Sequence, residues 1–537
     1  MDSTETSSSG SAIELEQAAL DVVGTIGKPV DSWAVAATLE SLGYRDVDAV
    51  DRYRRKDLFE LAGDIFGLIS SGRVSFVAGT AAAAPRRRHG KAARFFRAYL
   101  KGAVTAMPML GQIAAILLLR YSLWAWVDFT ETQATVVALG TILSFLVTGG
   151  FIQSIGREGI RYLGATNYAL SERACWNLVV EGTVVVVVVG GLLFVADILV
   201  PVYDLRLMEV SLMYYLLLSE LWLYSSVANV LDRPMAIFAI TLAGVVPVMV
   251  VMEATKLGIY FAHWCGMSFA LMLMMAYTMP LFRSVAKSTA PELRTTQLPR
   301  RPVRAYLIYP YFIYGFFYFL NLFIDRIVSW STPGAEPPPY LIWFRTSYEL
   351  GMDWALLSLV LTIAFLEYII YEFSYYQIPA QKSVDCARRD DYNAFFRRFH
   401  RRYLVGVAVI GLVNIAATYF GVVYFRHFSQ VKEVREFFSD PRTFFVFYAA
   451  AIGYWFLAVG LYNNLFIFTL SRPEFVLKSI IPSTAVNLGV GLIASRWFHY
   501  EYGVLGLVAG SATFAFLSTK YARSVFRSLD YYYYSAF

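Results

Sequence analysis

The side chains able to do chemistry in this chain are ionisable groups set inside long apolar runs. Glu220 falls near the middle of LMYYLLLSELWLYSS, too deep for its carboxyl to reach either edge of a membrane-length helix. A charged side chain at that depth costs about 3 kcal/mol on insertion scales, so it needs a reason to be there. One reason is a protonated acid bonded to a neighbouring hydroxyl or carbonyl. The other, favoured here, is a carboxylate facing a polar cavity, where it binds a proton, a cation or a hydroxyl. Asp325 and Arg326 are adjacent in FLNLFIDRIVSW. Neighbours on a helix point about 100° apart, so at least one must face a cavity or another helix. Arg120 and Arg326 each precede a tryptophan, Trp124 and Trp330, by four residues. Snorkelling beside an interfacial ring is the competing account of both. Asp353 follows Glu349 in RTSYELGMDW, and Glu367 precedes Glu372 among Tyr368, Tyr371, Tyr375 and Tyr376. Two accounts of the last group stand equal: a position at the interface, or a cytoplasmic vestibule of rings and carboxylates, which suits sugars. Arg120, Glu220, Asp325, Arg326, Asp353 and Glu367 are therefore the candidates to line a polar passage.

Catalysis finds no support. The five histidines are isolated, no phosphate-binding GxxxxGK[ST] run is present, and the carboxylates are too dispersed for a paired glycosidase. No catalytic residue, metal or cofactor is expected. Cys175, Cys265 and Cys386 are scattered and suggest neither a disulfide framework nor a metal site.

These groups must be positioned by membrane helices. Hydrophobic residues make up 57% of the 537, charged residues only 16%, and mean hydropathy is +0.51. Apolar spans lie near residues 102–122, 134–154, 178–200, 208–230, 235–255, 260–281, 304–330, 350–373, 403–425, 443–468, 475–495 and 503–521. Each is long enough for a hydrocarbon core of about 30 Å. Arg and Lys gather in the loops after the even-numbered spans and at the tail, so that face and both termini are expected to be cytoplasmic. The basic cluster from Arg86 to Lys101 abuts an apolar span and reads as a collar facing anionic lipid, not as a nucleic-acid patch.

The twelve spans divide six and six. Arg97-Ala98-Tyr99-Leu100 returns as Arg304-Ala305-Tyr306-Leu307, and Asp232-Arg233-Pro234 returns as Ser471-Arg472-Pro473. Long basic stretches, 156–175 and 379–402, follow the second span of each half and are expected to form amphipathic surface helices. Pro108, Pro247, Pro280, Pro310 and Pro482 interrupt helices and permit bending. The expected fold is an all-α polytopic membrane protein, with twelve transmembrane helices in two pseudo-symmetric six-helix lobes. Residues 1–88 form a small soluble helical domain with a disordered tip, three helical patterns (12–26, 31–43 and 56–70) and a basic linker. Residues 89–283 form the first lobe, 284–303 the inter-lobe linker, and 304–537 the second lobe and tail. Leu39, Leu42, Leu58, Leu61, Ile65 and Leu68 are the expected core of the soluble domain.

Two six-helix lobes, no ATPase and long second-to-third loops resemble the multidrug/oligosaccharidyl-lipid/polysaccharide (MOP) flippase superfamily. Within it, FLNLFIDRIVSW, a proline-rich loop and FRTSYELGMDWALL are similar to the Pel-type exopolysaccharide exporters. The resemblance spans roughly residues 95–525. It implies a MATE-like fold, alternating access about a central cleft, a polysaccharide or lipid-linked sugar as substrate, and a bacterial inner membrane. Two other functions stay open: a cation-coupled drug or metabolite antiporter of the same fold, and a scaffold whose N-terminal domain docks a cytoplasmic glycosyltransferase or another export-complex subunit.

Overall fold

The computed structural model describes residues 5–29, 31–74, 91–290, 297–333, 339–383, 389–428 and 439–534. Among these every regular element is helical, apart from a single bridge pairing Tyr121 with Trp126.

Four helices come first: α1 (Glu5–Ile26), α2 (Ser32–Ser41), α3 (Asp46–Asp51) and α4 (Leu58–Ser70). Asp31 caps α2 by accepting from the Ala34 N–H at 2.8 Å, and Asp57 caps α4 from the Glu60 N–H at 2.8 Å. They bury a cluster of their own, including Ala18, Val22, Leu39, Leu58, Leu61 and Ile65. Of the expected core, Leu42 lies 41% exposed and Leu68 is half-buried. The six-residue α3 was not expected, and α1 begins inside the serine-rich tip that was expected to be disordered. The linker from residue 75 to 90 lies outside the described residues.

The remaining long helices are α5 (Lys91–Leu119), α6 (Glu131–Gly164), α7 (Tyr168–Leu199), α8 (Leu205–Val230), α9 (Pro234–Ala243), α10 (Val245–Ala254), α11 (Ile259–Ala286), α12 (Arg301–Trp330), α13 (Thr346–Ser383), α14 (Arg389–Phe428), α15 (Pro441–Thr469), α16 (Pro473–Trp497) and α17 (Val504–Arg527), followed by the short α18 (Leu529–Tyr534). Among the described residues, eleven helices are long and apolar enough to cross a membrane, counting α9 and α10 as one. The remaining expected span coincides with α5, a helix of 29 residues.

Four of the five prolines leave their helices continuous. The break comes at Gly244, between α9 and α10. Pro247 has no N–H for the Ala243 carbonyl, so the ladder fails there. The amphipathic surface helices also need correction. The stretch after α6 is a three-residue turn, and residues 156–164 continue α6, making it 34 residues and about 51 Å long. In the second half α13 likewise runs to Ser383 and α14 starts at Arg389. Polar residues there extend the helices past the apolar thickness instead of starting new ones.

The repeat is visible in the backbone. Asp232 and Ser471 both take a left-handed conformation, φ +55° and +53°. In both turns the following arginine N–H donates 3.0 Å to the carbonyl five residues back, Arg233 to Ala228 and Arg472 to Ile467. The helix packing repeats as well. In the first lobe α6 packs on α7 and α8, and α11 on α8; in the second, α13 packs on α14 and α15, and α17 on α15. Small residues allow the close crossings: a Cβ on Gly460 would lie 2.1 Å from the Phe514 ring.

Candidate functional site

Two helices stitch the lobes together. The first half of α5 packs on α13, and its later part returns to α9 in its own lobe, where Gln112 donates to the Thr241 carbonyl at 3.2 Å. Helix α12 mirrors this, crossing to α6 before returning to α16. Gly315 of α12 meets Gly149 of α6 so closely that a Cβ on Gly315 would sit 2.2 Å from the Gly149 carbonyl oxygen.

At the end of the bundle where α12 begins, here the near end, charge reinforces the crossing. Buried Arg304 donates to Glu181 of α7 at 2.7 Å and approaches buried Glu158 of α6 at 3.9 Å. Arg157 of α6 donates to Ser471 Oγ in the second lobe at 2.9 Å and covers the Tyr311 ring at 4.9 Å. Sequence reading missed Arg157, Glu158 and Arg304 as a group. The available signal was Arg304 at the head of the repeated RAYL text.

At the far end of α12, Arg326 is the centre of a charged cluster. It pairs with Glu349, which is buried and also accepts from the Trp330 indole N–H at 2.8 Å. It donates to Asp353 at 2.9 Å, whose side chain is 65% exposed. Asp325, fully buried, accepts from Tyr348 Oη at 2.7 Å, while its other oxygen has no partner. Asp353 lies eleven residues, three helical turns, from Ala364, whose carbonyl faces α5 across the seam. It therefore shares the face of α13 that looks toward the other lobe. The end of α12 itself is capped from α16, where Arg496 donates to the Val328 carbonyl at 3.0 Å and to Thr332 Oγ1 at 2.9 Å.

Of the six candidates, Asp325, Arg326 and Asp353 gather in this cluster. The others do not join it. Arg120 follows the end of α5 in a left-handed conformation, φ +70°, and pairs with Asp128 at 2.6 Å. The sequence places Arg120 and Arg326 alike, but α5 ends at Leu119 while α12 continues to Trp330. Glu220 sits between α7 and α8, accepting from Thr183 Oγ1 at 3.0 Å, with its Oε1 unpartnered and buried. Glu367 lies on the α5–α13 seam, its Cβ 2.8 Å from where a Cβ on Gly102 would be. Among the described residues no group of three or more His, Cys, Asp or Glu could hold a metal ion.

The segment after α12 closes the far end across the lobes. Tyr340 Oη donates to Asp204 at 2.7 Å, Tyr203 Oη to the Ile342 carbonyl at 2.7 Å, Trp343 Nε1 to Glu131 at 3.0 Å, and the Phe344 N–H to Thr135 Oγ1 at 3.1 Å. The bond to the Asp204 carboxylate, first among the causes, holds the Tyr340 phenol above its usual pKa. Beside this latch lies an apolar cleft of about 190 Å³, lined by Leu139, Leu143, Leu193, Leu207 and Ile327 among others. Replacing Tyr340 and Trp343 together by phenylalanine removes two of the four bonds. The opening equilibrium at this end should move toward open. A single cysteine at position 207 should then react faster with an impermeant maleimide; an unchanged rate would remove the latch from gating.

Among the solved structures that share this architecture are MATE transporters. A mutant of the Vibrio cholerae MATE transporter VcmN aligns with a TM-score of 0.57 at 13% identity, covering 82% of this chain and 98% of that one. The eukaryotic MATE transporter AtDTX14 aligns at 0.55 and 12%, over 83% and 100% of the two chains. An outward-facing multidrug resistance MATE family transporter of the MOP superfamily aligns at 0.53 and 12%, over 83% and 98%. Fold and family together define a multi-pass, non-enzymatic membrane transporter with a MATE-like fold. The profile of the PelG family, the exopolysaccharide exporters (EPS-E), matches residues 87–534, and the chain belongs to that family. No curated protein sequence matches it.

Proposed function

We propose that this chain moves a polysaccharide or lipid-linked saccharide across a bacterial inner membrane by alternating access, with both termini cytoplasmic and α5 as the first of twelve spans. The observation that carries the reading is the reciprocal seam, in which α5 packs on α13 and α12 on α6. Paired crossings of this kind let two lobes rock against each other about a fixed middle. The family's exporter description supports the direction and the class of cargo. Asp325, Arg326 and Asp353 line the far half of the route, and Glu367 lies on its near half. Residues 1–88 form a cytoplasmic docking domain for a glycosyltransferase or another export subunit.

The test is a strain lacking the chain, assayed for carbohydrate released to the medium. Release should fall at least tenfold and return with the wild-type gene, but not with Asp325→Asn at equal membrane abundance. The chain without residues 1–88 should still transport yet fail to retain its cytoplasmic partner in a pull-down. Unchanged release from the deletion strain refutes the export reading.

One observation favours a second reading, a cation-coupled antiporter. Glu220 keeps an unpartnered oxygen buried between α7 and α8, as a proton-carrying carboxyl would. Proton-dependent efflux from vesicles that Glu220→Gln abolishes, with carbohydrate release intact, would select it.

A further inference from the structure

Four rings lie nearly parallel across the lobe boundary. Phe145 of α6 stacks on Trp222 of α8 at 4.8 Å and 18°. On the side of the second lobe, Phe145 stacks on Phe319 at 5.0 Å and 23° and on Phe323 at 5.7 Å and 25°, both from α12. Ser144 Oγ accepts from the Trp222 indole at 3.1 Å and fixes that ring, while Gly149 leaves room for Phe319, whose ring lies 2.4 Å from where a Cβ would be. The row ends on charge: Arg326 covers the Phe323 ring at 5.7 Å and holds the exposed carboxylate of Asp353. None of the four rings is fully buried. Trp222 backs Phe145 within its own lobe, and Phe145 meets the Phe319–Phe323 pair face to face across the boundary.

We propose that this stack is a saccharide-binding subsite, opened when the lobes part between Phe145 and the Phe319–Phe323 pair. The inference rests on the export reading above. Separation leaves a flat aromatic face on each lobe. A pyranose ring offers a face of C–H bonds with partial positive charge, which matches the negative face of an aromatic ring. Its equatorial hydroxyls project from the rim, where the exposed carboxylate of Asp353 accepts. Sequence-tolerant stacking of this kind suits a polymer that must slide, since every unit of the chain carries the same ring.

The replacements Phe145→Leu and Phe319→Leu keep apolar bulk and remove the flat face. Each should lower released carbohydrate at least tenfold at unchanged membrane abundance, whereas Phe145→Tyr and Phe319→Tyr should retain release. Phe420→Leu, at a ring 67% exposed on the bundle surface, is the control and should have no effect. Wild-type release from the leucine variants, or equal loss from the tyrosine ones, overturns the subsite while leaving the export reading in place. Binding provides a measurement independent of export. Full-length protein in nanodiscs should bind maltoheptaose or chitohexaose, with Kd at least tenfold weaker in Phe145→Leu and the thermal midpoint unchanged. Failure of the wild type to bind either probe, or equal affinity in the variant, also overturns it.

Discussion

Arg326→Met is expected to leave little folded protein in the membrane. The guanidinium is buried and pairs with Glu349, a carboxylate buried in turn against the Trp330 indole. Removing one partner of a buried pair typically costs about 3–5 kcal/mol, because the other charge is left without compensation. That is a large part of a domain's usual stability of about 5–15 kcal/mol. Asp353→Asn should do far less to abundance, since that carboxylate is largely exposed and such pairs contribute about 1 kcal/mol or less. The double replacement Arg326→Met with Glu349→Met should recover much of the lost protein without recovering export, so the cycle separates folding from transport. Abundance in membranes and thermal midpoint in detergent are the readouts. A single Arg326→Met variant as stable as wild type would show that the pair with Glu349 does not hold the fold together.

Gly315→Leu should abolish export even where the protein accumulates. A side chain at Gly315 runs into the Gly149 backbone, and one at Gly149 would run into the Phe319 ring at 2.4 Å and the Gly315 carbonyl at 2.9 Å. Neither obstacle is the far end of a flexible side chain that could swing away unaided. The α6–α12 crossing must therefore widen, and with it the seam and its near-end pairs at Arg304 and Arg157. Gly156→Leu on the same α6 meets nothing within 4 Å and should be tolerated. A loss of at least tenfold in released carbohydrate is expected for the first and none for the second. Equal activity of both variants would show that the seam opens too widely for the contact to matter.

These effects were unequally legible in the sequence. Hydropathy found the spans because a bilayer sorts residues by transfer cost, and the second-half Asp-Arg pair stood out for the same reason. The repeated turns at Asp232 and Ser471 were readable because a helix end needs a local hydrogen-bond solution, and both copies keep the same one. The pairing of Arg304 with Glu158 was not readable. The partners are far apart in sequence, and Glu158 lay in a stretch that hydropathy assigned to a loop although it continues α6. The far-end latch escaped for a related reason: Tyr203, Tyr340 and Trp343 look like interfacial rings, and only the tertiary structure shows their polar ends bonded across the lobes. Glu220 illustrates the converse. A buried carboxyl was legible, but its direction, toward Thr183 and not toward the charged cluster, was not.

Helix α12 is a rod pinned to two bodies. Its first turn is held by acids of one lobe through Arg304, and its last by Arg496 and Glu349 of the other. If the bodies rotate apart, the rod must either slip its Arg304 pin or flex along its length. The weakest link for flexing is known from covalent structure: Pro310 supplies no N–H to the Tyr306 carbonyl, so the ladder lacks a rung there. Helix α5 instead stops at Leu119, beside the left-handed turn at Arg120. The two halves therefore share an architecture without sharing its mechanics, and torque applied to the duplicated frame is borne chiefly by one of its two crossing members.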